Sequence, residues 1–315
     1  MCDPYCSRVI DVSSCTGEAD ELLSIAAYNE VWPHDAVGLP EVHSFKASLV
    51  DHADLLARID GNVAGSGFAA IQPQLPNLVA VLVTVLPEHR RRGVGTALYE
   101  AISAWAGQHG LDTIEAVVAD NDAESLGFAE RRGFTENRRE PGVALDLTRI
   151  APPQPQPPPG VEIVTWAERP ELAPGIYEVA VEASRDIPGS EDEEAEPFDE
   201  WLAHDMQGSG DKPEATFVAI AGDEVIGYAK FSLTDAQPAV AHHDLTAVKR
   251  AWRGRGVARA LKATQIAWAK ANGYRELRTR NEERNAPIRH LNAQFGYRPT
   301  VGRIYLLGPL RRRGS

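Results

Sequence analysis

The 315-residue chain is poor in cysteine, in net basic charge and in long apolar runs. Its three cysteines, Cys2, Cys6 and Cys15, crowd the N-terminal edge, and an odd number placed this way makes a poor disulfide framework. No further Cys or His cluster follows Cys2 and Cys6 at zinc-finger spacing, so no metal site is expected. Lys and Arg number 32 against 45 Asp and Glu, a formal net charge of -13. Such a balance argues against a general nucleic-acid binder and a protein of anionic membranes, because both need basic surface. It suits a cationic small molecule or a basic peptide as partner. The longest apolar run, Leu78 to Val83 with Val85 and Leu86 beyond Thr84, is too short to span a bilayer. The opening residues MCDPYCSRVIDVSSC lack a basic stretch leading into an apolar one, so no signal peptide is expected and the protein reads as cytoplasmic.

The chain does have the length and apolar content of two domains: 43% of residues are hydrophobic and 24% charged. Residues 151–160, APPQPQPPPG, form a proline-rich spacer that predicts an extended linker between domains at 1–150 and 161–315. Before the spacer the pattern reads as strand VIDVSS and helix Glu18–Val31, then a second helix over Glu41–Asp51. Three strands follow, DLLARID, VAGSGFAAI and LVAVLVTVL, the first two joined at Gly61-Asn62. The spacer is followed by VEIVTW, helices over Glu171–Ser184 and Phe198–Met206, then TFVAIAGDEVIGYAKFSL and VAHHDLTAV in the same order. Further on the repeat becomes gapless. Arg90, Gly93, Val94, Leu98, Trp105, Gly110 and Gly133 are matched by Arg253, Gly256, Val257, Leu261, Trp268, Gly273 and Gly296, at one constant offset (253 − 90 = 163). This is a tandem duplication.

In both halves a strand rich in β-branched residues runs into a glycine turn and then an amphipathic helix. The turns are Arg90-Arg91-Arg92-Gly93-Val94-Gly95 and Arg253-Gly254-Arg255-Gly256-Val257-Ala258. Small residues at a helix start let an anion approach unpaired N–H groups at the positive end of the helix dipole, and the arginines add phosphate donors. The turns therefore predict pyrophosphate cradles. Ala97-Leu98 and Ala260-Leu261 follow where a Rossmann turn has its third glycine, and neither turn carries the Gly-Lys-Ser/Thr of a triphosphate loop.

These turns resemble the Arg/Gln-x-x-Gly-x-Gly/Ala signature of the GCN5-related N-acetyltransferase (GNAT) superfamily. Both are followed at equal distance by Arg-Gly-Phe134 and Phe-Gly-Tyr297, and the element order also matches along nearly the whole chain. The layout is similar to that of mycothiol synthase-like tandem acetyltransferases. The resemblance implies an α/β (α+β) fold class with two tandem GNAT-type domains, each a mixed, mostly antiparallel sheet flanked by helices. It also implies acetyl-CoA as cosubstrate, bound at the two turns and along the preceding strands at Val83, Thr84 and Val85 and at Thr246, Ala247 and Val248. Asn285, where the first half has Asp122, matches a family position that helps hold it. A frequent leaving-group acid of the family is a tyrosine four residues before the late glycine; here that position is Ala129 or Asn292, so a tyrosine acid is excluded.

The halves differ in polar content. His242, His243 and Asp244 stand where the first half has Val79, Ala80 and Val81. Strict strand alternation puts Asp244, Thr246 and Val248 on one face and His243, Leu245 and Ala247 on the other, leaving open which of Asp244 and His243 faces the cleft. The candidate catalytic residues are thus Asp244, His243 and Asn292, in a catalytic C-terminal half, with a cradle but no evident acid–base group in the N-terminal half. The acidic run EDEEAEPFDE at 191–200, near Tyr177, Phe198 and Trp201, favours a cationic acceptor. The expected function is N-acetylation of a primary amine on a cationic small molecule by a monomer or homodimer. Acetylation of a cysteinyl thiol precursor and a catalytically silent coenzyme A sensor are the alternatives.

Overall fold

The computed structural model describes residues 9–186 and 195–311. Cys2, Cys6 and residues 191–194 of the acidic run lie outside them. The chain forms two compact units. Unit 1 comprises Met1–Arg138 with Arg303–Ser315, and unit 2 comprises Arg139–Gly302.

Unit 1 begins with β1 (Ile10–Ser14), α1 (Glu18–Val31) and α2 (Leu39–Ala47). It continues with β2 (Asp51–Ile59), β3 (Asn62–Gln72), β4 (Leu75–Val85), α3 (Val94–Gln108), β5 (Thr113–Ala119) and α4 (Ala123–Glu130). The second helix is earlier and shorter than the sequence pattern suggests: Pro40 sits in its first turn, it ends at Ala47, and Asp51 already pairs with Ile71 in the sheet. The β2–β3 turn is Asp60-Gly61 rather than Gly61-Asn62. Both turn residues take positive φ, 51° and 82°, the geometry that matches the twist of a two-residue hairpin. Strands β1 to β4 are antiparallel neighbours in order, and β4 runs parallel to β5.

The chain then enters β6 (Thr135–Asp146), and unit 2 repeats the pattern. Its elements are β7 (Val161–Thr165), α5 (Ala173–Ser184), α6 (Phe198–Trp201) with a π-turn over Leu202–Met206, β8 (Asp211–Ala221) and β9 (Glu224–Ser232). β10 (Val240–Val248), α7 (Val257–Ala271), β11 (Glu276–Arg280) and α8 (Ala286–Gln294) complete it, and the chain then enters β12 (Arg298–Pro309), of which Arg303–Pro309 belongs to unit 1. Strands β7 to β10 are antiparallel neighbours and β10 runs parallel to β11. Residues 151–160 have no regular structure, as a polyproline spacer should.

The compact units depart from the expected division at the spacer, because the halves exchange their last strands. In unit 1 the open edge of β5 is taken by Arg303–Pro309 of β12. In unit 2 the edge of β11 is taken by Gly142–Asp146 of β6. Ile304 and Leu306 accordingly fill the core of unit 1, and Leu145 and Leu147 that of unit 2. A duplicated sequence permits this, since either copy of the last strand offers the right alternation to either edge, and an unpaired edge would leave its backbone groups without partners. Trp105 and Trp268 pack against their respective cores, consistent with the amphipathic stripe.

Candidate active site

In both units the two parallel strands part company. β4 and β5 share only the register from Val79↔Ile114 to Val81↔Ala116, and β10 and β11 only that from Val240↔Glu276 to His242↔Arg278. Beyond those points the edge of Val83–Val85 and that of Thr246–Val248 face no neighbouring strand among the described residues, so their backbone groups are available to an extended ligand. Each splayed strand leads to a helix whose N-cap is a left-handed glycine, Gly93 at φ 93° and Gly256 at φ 91°. A side chain at Gly254 would meet nothing within 4 Å, and one at Gly256 would meet only the Pro158 ring at 4.0 Å. That open space over unpaired helix N–H groups fits a pyrophosphate.

The arginines of the turns are held in place from behind. Arg253 donates through Nε to the Val248 carbonyl at 2.9 Å and pairs with Asp186 at 2.6 Å, while Arg255 lies over the Trp252 ring. In unit 1, Arg90 pairs with Asp122 (3.3 Å) and Glu124 (3.6 Å), Arg91 lies 3.8 Å from Glu124, and Arg92 is exposed. Val94 and Val257 are buried below the turns, and Gly95 lets the Phe128 ring approach where unit 2 carries Ala258. Asp122 caps α4 by accepting from the Ser125 N–H at 2.9 Å. Asn285 occupies the corresponding N-cap of α8 and makes no such capping bond with its side chain.

Unit 2 bulges its splayed strand at a point where unit 1 keeps unbroken pairing, from Ala80 to Val85. Pairing with β9 passes from His243↔Phe231 directly to Leu245↔Lys230, so Asp244 is the extra residue. The bulge overturns the strict alternation expected from sequence. His243 and Val248 face α7. Leu245 and Ala247 pack with Tyr228 on the opposite side, where Asp244 meets Lys230.

The Asp244 side chain joins a cluster that periodicity did not reveal. Lys230, only 2% exposed, lies 2.7 Å from Asp244, 3.0 Å from Asp211 and 3.3 Å from Asp205. Asp205 is oriented by the Trp201 indole N–H at 2.9 Å, and Asp211 accepts from the Gly208 N–H at 3.1 Å. Burial raises the pKa of both Asp205 and Asp211, opposed by the Lys230 charge. Burial works against the charge of Lys230, but the three carboxylates outweigh it and keep the lysine protonated. Asp205 and Asp244 remain about 40% exposed. Among the described residues the buried Tyr228 hydroxyl has no hydrogen-bond partner, and its pKa is driven well up by burial and then by the same aspartates. With three carboxylates to one ammonium, the site carries surplus negative charge facing solvent. The signal for it in the sequence is a lysine between Ala229 and Phe231 of an otherwise apolar strand.

His243 and Asn292 lie elsewhere, in two buried polar groups. The Gln265 amide donates to the Lys230 carbonyl at 3.2 Å, so its oxygen accepts from His243 Nδ1 at 3.0 Å. His243 Nε2 then accepts from the Tyr297 hydroxyl at 2.5 Å. Burial holds this imidazole neutral. Asn292 accepts from Lys262 Nζ at 2.8 Å and donates to Asn281 at 2.8 Å. Lys262 is fully buried, no carboxylate pairs with it among the described residues, and burial lowers its pKa to about 7. The structure therefore separates the three candidate catalytic residues: Asp244 faces solvent in the aspartate cluster, while His243 and Asn292 are enclosed. Of the aromatic residues near the acidic run, Trp201 is buried and packs its ring tilted against those of Tyr177 and Phe198, with centroids 5.2 and 6.1 Å away. Glu196 within the run pairs with His204.

Among the described residues no group of His, Cys, Asp and Glu could hold a metal ion, and no helix is long and apolar enough to cross a membrane. The fold is shared with solved structures. A GCN5-related N-acetyltransferase from Sphaerobacter thermophilus aligns over 96% of both chains with a TM-score of 0.75 and 22% identity. A tandem GNAT protein from the clavulanic acid biosynthesis pathway covers 96% of this chain and 99% of its own with a TM-score of 0.76 and 20% identity. In sequence, the chain is 30% identical over 112 residues to an L-2,4-diaminobutyric acid acetyltransferase of Nocardia farcinica. That match spans 31% of this chain and 58% of the relative. The Acetyltransferase (GNAT) family matches twice, over residues 21–134 and 174–297, ending at Phe134 and Tyr297. With two splayed strand pairs, two glycine-capped helix starts and two family matches covering most of its length, the chain belongs to the acetyltransferase (GNAT) family and carries its fold twice in tandem.

Proposed function

We propose that the protein transfers the acetyl group of acetyl-CoA to a primary amine of a cationic small molecule, and that unit 2 carries the reaction. The carrying observation is the bulge residue Asp244, placed with Asp205 and Asp211 around Lys230 where β10 leaves β11. The name of the Nocardia relative, which gives it a diamino acid as substrate, supports an acceptor with more than one amine.

Acetyl-CoA, when bound, supplies the acetyl group as a thioester. The residues that would hold it are the Gly254–Ala258 turn, Arg253 and Arg255 at the pyrophosphate, the exposed edge of Thr246–Val248, and Asn285. The surplus carboxylate charge of Asp205 and Asp244 draws in the acceptor as an ammonium. Nucleophilic attack needs the amine neutral, and Asp244 is the half-exposed carboxylate able to take the proton and pass it to solvent. Lys230 fixes the positions of Asp244, Asp205 and Asp211 without being consumed. His243 is neutral and enclosed, so it acts on the strand bulge rather than on the acceptor.

Steady-state transfer to spermidine as test amine, followed by thiol release, checks this. Asp244→Asn should lower kcat/KM by about 10²–10⁴-fold, and the wild-type KM should rise with salt as the carboxylates are screened. An unchanged kcat/KM in the variant would remove Asp244 from the reaction.

A further inference from the structure

Unit 2 buries a lysine where unit 1 has ordinary core. Lys262 on α7 is 1% exposed, and its Nζ donates to Asn292 Oδ1 at 2.8 Å. Asn292 Nδ2 donates in turn to Asn281 Oδ1 at 2.8 Å. Asn292 is as buried as the lysine, while Asn281 is half-buried. The repeat partners of Lys262, Asn292 and Asn281 are Tyr99, Ala129 and Val118, all in the core of unit 1. An ammonium can only donate, so Lys262 sets the direction of both amides, and each turns its N–H groups away from it. The outer end of this chain is the Asn281 amide. It stands three residues past Arg278, where pairing with β10 ends, on the β11 side of the opening that Asp244–Val248 borders from the other side.

A buried ammonium without a carboxylate is costly to keep. The titratable groups facing Lys262 do not offset its charge. His243 of β10 is held neutral by burial, and Tyr297 after α8 presents its ring at 5.2 Å and gives its hydroxyl to His243. Burial lowers the lysine's pKa to about 7, so near neutral pH it gains a proton when negative charge appears nearby. Aminolysis of a thioester supplies such charge: as the C–N bond forms and the C–S bond breaks, an electron pair moves onto the carbonyl oxygen and then onto sulfur. We propose that Lys262 is a positioning residue: through Asn292 and Asn281 it holds an N–H donor, backed by a buried positive charge, at the opening between β10 and β11, where it favours an anionic over a neutral group. The proposal rests on unit 2 as the acetyl-CoA site.

Two thioethers made by alkylating coenzyme A test this by binding alone: S-carboxymethyl-coenzyme A, which is anionic, and S-carbamidomethyl-coenzyme A, its neutral counterpart. Calorimetry of the full chain near pH 7.5, in buffers of different ionisation enthalpy, reads affinity and proton uptake together. The anionic probe should take up roughly half a proton more than the neutral one, because it raises the lysine's pKa while the phosphates are common to both. Lys262→Met should abolish that difference and Asn281→Ala should reduce it. Each should lower the affinity for the anionic probe relative to the neutral one by about threefold or more, with binding of the neutral probe unchanged. A loss shared equally by both probes would mark a merely structural role and overturn the proposal, as would equal proton uptake in the wild type. Should Lys262→Met not fold, the half-buried Asn281→Ala decides. Failure of both probes to bind at millimolar concentration would overturn the acetyl-CoA reading of unit 2 as well.

Discussion

The two units have the same backbone devices and different interiors. Each has a parallel strand pair that splays, and each has a left-handed glycine opening the helix beyond it. At repeat positions where unit 2 places His243, Gln265, Asn292 and Tyr297, unit 1 places Ala80, Ile102, Ala129 and Phe134. The first set falls into two buried hydrogen-bonded groups, His243 with Gln265 and Tyr297, and Asn292 with Lys262; in the second, Ile102, Ala129 and Phe134 are ordinary core. On the opposite face, Lys230 with its aspartates lies across from Leu245, where unit 1 sets Phe68 across from Leu82. The turn itself is more relaxed in unit 2. Gly254 takes φ 72° freely, whereas its counterpart Arg91 is held at φ 61°, a conformation side chains disfavour. Duplication thus preserved what the backbone does and let the side chains diverge, which is why the shared cradle says little about where chemistry occurs.

The comparison breaks most easily at the cradles. Gly256→Glu should lower acetyl transfer by about 100-fold or more by setting a carboxylate where phosphate contacts form, whereas Gly93→Glu, at nearly the same φ, should leave most turnover. The reverse pattern in a thiol-release assay would move the reaction to unit 1. Next in size is the stability of the aspartate cluster. Lys230→Met leaves three partly buried carboxylates without their cation and should destabilise unit 2 by about 3–5 kcal/mol, read from denaturant unfolding. A change under 1 kcal/mol would show that the cluster is solvated rather than buried.

The smallest effect concerns Lys262, which has Tyr99 as its repeat partner. An unfolded lysine keeps its proton to its usual value of 10.5, while buried Lys262 releases it near 7. Between those limits the unfolded chain binds more protons, so this residue's contribution to stability grows as pH rises from about 7 and is lost as pH falls through it. Thermal melts from pH 7 to 9 should rise more steeply for wild type than for Lys262→Met. Parallel melts would mean that the amine reaches water.

Much of this was legible in the chain. The constant 163-residue offset, the glycine turns and the amphipathic helices gave both turns and the elements around them at the right places, because periodicity and φ > 0 glycines are local properties. Asp244 was legible as a polar residue entering an apolar strand. Its partners were not. Asp205 sits in a π-turn, Asp211 opens β8 and Lys230 lies in β9, and only sheet register brings them together. His243 looked equivalent to Asp244 because alternation says nothing about a bulge, and a single inserted residue reverses which side chain meets the core.

By itself, then, the sequence determined the fold family, the duplication and the two glycine turns, since these depend on residue types at fixed short spacings. Tertiary structure decided the rest. It determined which copy of the last strand closes each sheet, an exchange that identical alternation leaves undecided. It also set which polar residues are enclosed and which reach solvent, because desolvation and ion pairing depend on neighbours far apart along the chain.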